Sequence, residues 1–134
     1  MKKILMFVAA VAFAMAGLMT TEAHAAAYSK CKACHNFTDK NKVGPGLGKG
    51  EGIPGVFGRK AGTHPGFNYK FTKYIKGDGW TWDEAHLRKW MCNSKDAIKE
   101  FTGDDSARTK MPPQKVCDAA KQDEVIAKLK AISQ

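Results

Sequence analysis

The sequence predicts an all-α domain of three to five short helices and long loops, wrapped around a buried group larger than any side chain. Three observations lead there. Apolar residues recur at helical spacing behind capping signals, in Leu87, Trp90 and Met91 and again in Val125, Ile126, Leu129 and Ile132, and no segment reads as a strand. The stretch KVGPGLGKGEGIPGVFGRKAG, Lys42 to Gly62, holds too many glycines and prolines for any regular element. So small a domain with so few core residues is short of apolar surface to bury, and a large cofactor would supply it.

The chain opens with Lys2 and Lys3, an apolar run from Ile4 to Met19, the short TTE stretch and then Ala23-His24-Ala25. This is the pattern of a secretory signal peptide cut after Ala25, with Ala16, Ala26 and Ala27 as alternative cut positions. A membrane span needs about 20 apolar residues, and this alanine-rich run is shorter and weaker than that. Residues 1–25 are therefore expected to be removed and residues 26–134 to form one domain working in the periplasm. Removal of Lys2, Lys3 and Glu22 takes away two positive charges and one negative, so the formal net charge falls from +9 to +8. A basic domain of this size is steered toward acidic partners. Nucleic acid is the other usual partner of a basic chain, but export and the lack of a basic run with interleaved aromatics argue against it.

The elements follow in order. Residues 26–36 read as a short helix carrying CKACH on its last turn. After the glycine-rich stretch, 67–76 reads as a short helix containing Tyr69, Phe71, Tyr74 and Ile75. Thr81-Trp82-Asp83-Glu84 reads as a capping box, with Thr81 at the N-cap and Glu84 reaching back to it. The helix it starts runs to about Asn93, and a further turn spans 95–101. TGDDSARTKMPPQ is irregular, and Asp118 caps a final helix.

CKACH, Cys31 to His35, carries the chemistry. C-x-x-C-H is the signature of c-type haem attachment. Two thiols one helical turn apart can each add to a porphyrin vinyl group, and the adjacent histidine is then held beneath the iron. A redox dithiol would use the same pair, but it normally sits in a βαβ pattern that is missing here. Zinc would need two more ligands, and Cys92, Cys117, His64 and His86 lack ligand spacing. A disulfide within C-x-x-C is strained. For the sixth iron position, residues 26–134 offer two methionines: Met91 inside a helix, and Met111 in a loop before two prolines that cannot continue one.

Further motifs add a resemblance. CKACH, VGPGL (Val43 to Leu47), GVFGRKAGTHPGFNY (Gly55 to Tyr69), WTWDEAHL and TKMP follow one another as in class I c-type cytochromes, the family of mitochondrial cytochrome c and bacterial cytochrome c2, and the last helix fits too. The resemblance covers nearly all of 26–134. It implies a small cytochrome c fold around one covalent haem c, attached through Cys31 and Cys34, with His35 and Met111 as axial iron ligands. It further implies that the Pro45 backbone oxygen accepts the histidine's other N–H, and that Arg59, Tyr69 and Trp82 donate to the haem propionates, whose unpaired burial would be costly. Lys32, Lys42, Lys49 and Lys110 are candidates for a ring that orients docking onto acidic redox proteins.

The implied function is that of a soluble periplasmic carrier, a monomer with no stable membrane insertion, shuttling single electrons between partners of a respiratory chain. With both axial positions filled, no enzymatic turnover is expected. The alternative is a peroxidase-like or gas-binding haem protein with an open or labile sixth site.

The chain also departs from the family. Only about five residues of 26–134 precede Cys31, Ala27 and Tyr28 stand near a usual aromatic position, GKGEGI lengthens the loop after Leu47, and the stretch between Asn93 and Thr109 is longer. Trp90 stands where the mitochondrial protein has a tyrosine near the methionine. Cys92 and Cys117 are unusual, and we expect them to form a disulfide around Met111 worth roughly 3–4 kcal/mol in chain entropy. Two buried thiols are the alternative, disfavoured by export.

Overall fold

The computed structural model describes residues 27, 29–39, 53–66 and 69–134. The Pro45 assignment, Lys42, Lys49 and the signal-peptide segment lie outside them. Three α-helices follow in order: α1 (Glu84–Cys92), α2 (Ser94–Thr102) and α3 (Ala119–Ala131). A helical turn at 29–32 precedes them, as does one 3-10 turn, Thr72–Tyr74. Among the described residues there is no strand; Lys60 and Thr81 form an isolated antiparallel bridge.

That bridge moves the start of α1. The segments 58–61 and 80–82 run side by side, with Gly58 N–H donating to Trp82 O, Trp82 N–H to Arg59 O and Ala61 N–H to Trp80 O, at 2.8–2.9 Å. Thr81 is thereby held in extended pairing and does not serve as the N-cap. Asp83 does: its carboxylate accepts from His86 N–H at 2.9 Å. Glu84 turns outward to Arg88 and Lys130, at 2.6 and 3.0 Å, instead of reaching back to Thr81. The expected capping box is therefore wrong by two residues, because cross-chain pairing claims the backbone that it needed.

The helix expected at 67–76 shrinks to the single turn Thr72–Tyr74, and residues 67 and 68 lie outside the described set. The turn expected after Asn93 is instead a full two-turn helix, α2, capped by the Asn93 side chain. It ends at Gly103, whose φ of 63° is a left-handed C-terminal conformation that suits glycine. Asp118 caps α3 as the sequence suggested, accepting from Lys121 N–H at 3.0 Å.

Helix α1 packs on both α2 and α3. Leu87 and Met91 on α1, Ile98 on α2, and Val125, Ile126 and Leu129 on α3 are buried together. At the α1–α3 crossing, Arg88 pairs with Glu84 and with Asp123, while Lys130 also reaches Glu84. These groups are largely solvated, so they orient the helices more than they stabilise them. Buried Gln122 does more: its amide donates to Arg88 O at 3.2 Å and to Val116 O at 2.9 Å, fastening the chain before α3 to α1.

A cluster of rings fills the space between the 58–82 pairing and the helices. Trp82 meets Trp90 at 5.0 Å and Trp80 at 5.5 Å, and Trp80 meets Phe101 at 5.1 Å and Phe71 at 5.6 Å. Such tilted and edge-to-face contacts add about 0.5–1.5 kcal/mol each beyond area burial. Gly62, with φ +76°, lets the preceding loop lie on the 3-10 turn. A Cβ there would come within 2.7 Å of the Thr72 methyl.

The Asp83 carboxyl is held below the usual carboxylate range, mainly by the His86 backbone N–H. A depressed folded pKa gives stability that is present above the unfolded pKa and lost as pH falls through the folded one. Asp83→Ala should therefore cost about 1 kcal/mol at neutral pH. In thermal melts of the two proteins, the gap should close as pH drops below the aspartate range.

Candidate functional site

A cavity of about 330 Å³ opens between the helices and the N-terminal turn, and its walls gather side chains from almost every described segment. One wall is CKACH. His35 N–H donates to Cys31 O at 2.9 Å and Cys34 N–H to the same oxygen at 3.2 Å, so the chain coils tightly through the motif. Cys31, Cys34 and His35 consequently all line the cavity. Neither cysteine is in a disulfide; Cys31 is half-buried and Cys34 exposed. Burial pushes the Cys31 thiol up, against its backbone hydrogen bond and with a smaller contribution from Cys34.

Met111, half-buried, lines the same cavity from the loop between α2 and α3, with Thr109, Lys110 and Pro112 beside it. The rest of the wall is mostly apolar: Phe37, Ile53, Val56, Phe71, Leu87, Met91, Val125 and Leu129. Tyr69 and Trp82, both buried, line it too and bring a hydroxyl and an indole N–H to its wall. Arg59 is half-buried and does not line the cavity; its backbone pairs with Trp82. Met91, read from sequence as core packing, is buried core and cavity wall at once.

The Met111 loop is fastened to the end of α1 and the start of α2. Lys115 N–H donates to Cys92 O at 3.0 Å and Val116 N–H to Met91 O at 3.1 Å. Cys92 and Cys117 are joined in a disulfide, with Cα atoms 4.6 Å apart. The bond takes both residues out of any zinc site or thiol reading. Ser94, fully buried at 0 % exposure, donates its hydroxyl to Met111 O at 2.7 Å.

Sequence reasoning did not reach several of these residues. No local signal in the sequence marks Ser94 or Gln122. Lys30 and Lys70 join Lys110 at the cavity, and Gln114 adds a polar group near Met111. Only their positive charge and their nearness to CKACH and Tyr69 hinted at the two lysines.

The donor set fits an iron porphyrin: two free thiols a turn apart, an imidazole and a thioether on walls that are otherwise apolar. No family model matches the chain. Individual proteins do. It is 38% identical over 86 residues to cytochrome c2 of Pararhodospirillum photometricum, covering 63% of this chain and 73% of that protein. It is 45% identical over 73 residues to cytochrome c2 iso-2 of Magnetospirillum fulvum, covering 54% and 68%. Among solved structures, ferric cytochrome c-550 from Paracoccus versutus superposes with a TM-score of 0.67 at 30% identity, over 85% of this chain and 98% of that one. Cytochrome c2 from Rhodobacter sphaeroides gives 0.67 at 32% identity, over 84% and 94%.

The fold and these relatives define a small all-α c-type cytochrome, a monohaem electron carrier with one covalently attached haem c. The chain belongs to the cytochrome c2 family of class I c-type cytochromes.

The disulfide closes the segment that carries Met111, across a sequence separation of 25. Replacing Cys92 and Cys117 together by serine should lower folding stability by about 3–4 kcal/mol. A denaturant titration of both proteins checks this, and an unchanged midpoint contradicts it.

Proposed function

We propose that this chain is an exported carrier in which Cys31 and Cys34 hold the haem, His35 and Met111 ligate its iron, and single electrons pass through the edge exposed beside the lysines. The observation that carries this reading is the convergence of CKACH and Met111 on one apolar cavity. When bound, the haem supplies a one-electron couple. The chain's own residues do the rest. The thiols tether it, the apolar wall excludes water from the iron, and the Met111 thioether favours the ferrous state and so raises the potential. Tyr69, Trp82 and Arg59 would donate to the propionates; the first two line the cavity, and Arg59 does not. With both axial sites filled by protein, no substrate is turned over.

Export through residues 1–25, with 26–134 as the functional domain, follows the signal-peptide pattern, and the periplasm is where such carriers work. No described helix is long and apolar enough to cross a membrane. We propose a monomer that docks transiently on acidic redox partners. Lys30, Lys70 and Lys110, all exposed at the cavity mouth, form the centre of the docking face, with Lys32 nearby.

Two outcomes test this. The purified protein should weigh one haem more than its polypeptide, and the reduced protein should not take up CO. Met111→Ala should take up CO and show a lower reduction potential. A wild-type protein that binds CO strongly would defeat the assignment of Met111. Electron exchange with an acidic partner should also slow steeply between low salt and about 0.15 M ionic strength, where screening acts within about 8 Å. Charge reversal at Lys70 or Lys110 should flatten that dependence in stopped-flow traces.

A further inference from the structure

Resting on the assignment of Met111 as the sixth ligand, we propose that Ser94 is the positioning residue that keeps the Met111 thioether seated on the iron. Ser94 opens α2, directly after its N-cap Asn93, and is fully buried. Its hydroxyl donates to Met111 O at 2.7 Å, a short and direct bond across a sequence gap of 17.

The loop has little else to hold it at this point. Met111 N–H reaches Thr109 Oγ1 only at 3.3 Å, and that is a bond within the loop. Pro112 and Pro113 have no N–H to give. Gln114 Nε2 donates to Pro112 O at 2.7 Å, again within the loop. The next ties to a helix come at Lys115 and Val116, and then at the disulfide. Among the described residues, the Ser94 hydroxyl is thus the bond that joins the backbone of Met111 itself to a helix.

The consequence is selective. With the hydroxyl removed, the closed loop loses its bond from Ser94 to the Met111 carbonyl, whereas the open loop, whose carbonyl is hydrated, loses nothing. The loss falls on the closed, ligated arrangement and not on the open one. The iron–thioether bond then breaks more often, although the helices and the core remain as they were.

The test uses the haem-loaded ferric protein and imidazole as an external ligand that captures the iron only when Met111 has left. The wild type should show the methionine–iron absorbance and a slow capture rate. Ser94→Ala should raise the capture rate about tenfold, the effect of one hydrogen bond lost to a buried group. Thr102→Ala is the control. It removes another buried hydroxyl of α2, one that donates to Ile98 O at 2.7 Å inside the helix and not to the Met111 backbone. It should lower the melting temperature while leaving capture at the wild-type rate. If Ser94→Ala does not accumulate in folded form, Ser94→Cys, which keeps the volume but donates weakly, takes its place under the same criteria.

Capture by the Ser94 variant at the wild-type rate overturns the proposal and leaves the Met111 assignment standing. Equal acceleration by Thr102→Ala overturns it too, since general loosening would then be the cause. Absence of the methionine–iron band in the wild type removes both.

Discussion

A loop with no regular structure of its own must present a sulfur atom to one apolar cavity, and the site depends on what holds that loop still. The hold comes from the junction of α1 and α2. Met91 and Cys92 accept the backbone N–H groups of Val116 and Lys115, Cys92 is bonded to Cys117, and Ser94 grips the carbonyl of Met111. In the role proposed for Met111, the thioether is a weak iron ligand, readily exchanged for water or another donor. The geometry around it therefore has to come from the protein, and here it comes from three hydrogen bonds and a covalent link within a few residues of one another.

The cavity is built in the same economical way. Leu87 and Met91 from α1 and Val125 and Leu129 from α3 are core residues and cavity walls at once. A chain of this size cannot afford two separate apolar layers, so the cofactor takes the place of the missing core. The aromatic cluster does comparable double duty. Trp82 and Trp90 line the cavity on one side and pack against Trp80 and Phe101 on the other, so that the rings carry the cavity wall onto α2 and the 58–61 segment. Trp90, a departure from the family pattern at the sequence level, is accommodated as part of this stack.

Charge is distributed with the same division of labour. The paired groups, Glu84, Arg88, Asp123 and Lys130, sit where α1 crosses α3 and are spent on one another. The lysines at the cavity mouth, Lys30, Lys70 and Lys110, leave positive charge facing outward around the place where electrons would enter. Long-range steering needs such an uncompensated patch, whereas local ion pairs contribute little to it.

By itself the sequence determined the all-α class, the attachment motif, the methionine in a proline-stopped loop and the Asp118 cap, because each rests on residue type and short-range spacing; the Cys92–Cys117 pairing was an expectation that the fold decided. What only the tertiary structure decided were contacts between segments far apart in the chain. Thr81 looked like a cap until pairing with the 58–61 segment claimed its backbone and passed the role to Asp83. The helix expected at 67–76 gave way to loop packing, with only Thr72–Tyr74 turning. Ser94 and Gln122 carry no local mark at all. A hydroxyl or an amide becomes structural only when folding buries it opposite a carbonyl, and one-dimensional order does not encode which carbonyl that will be.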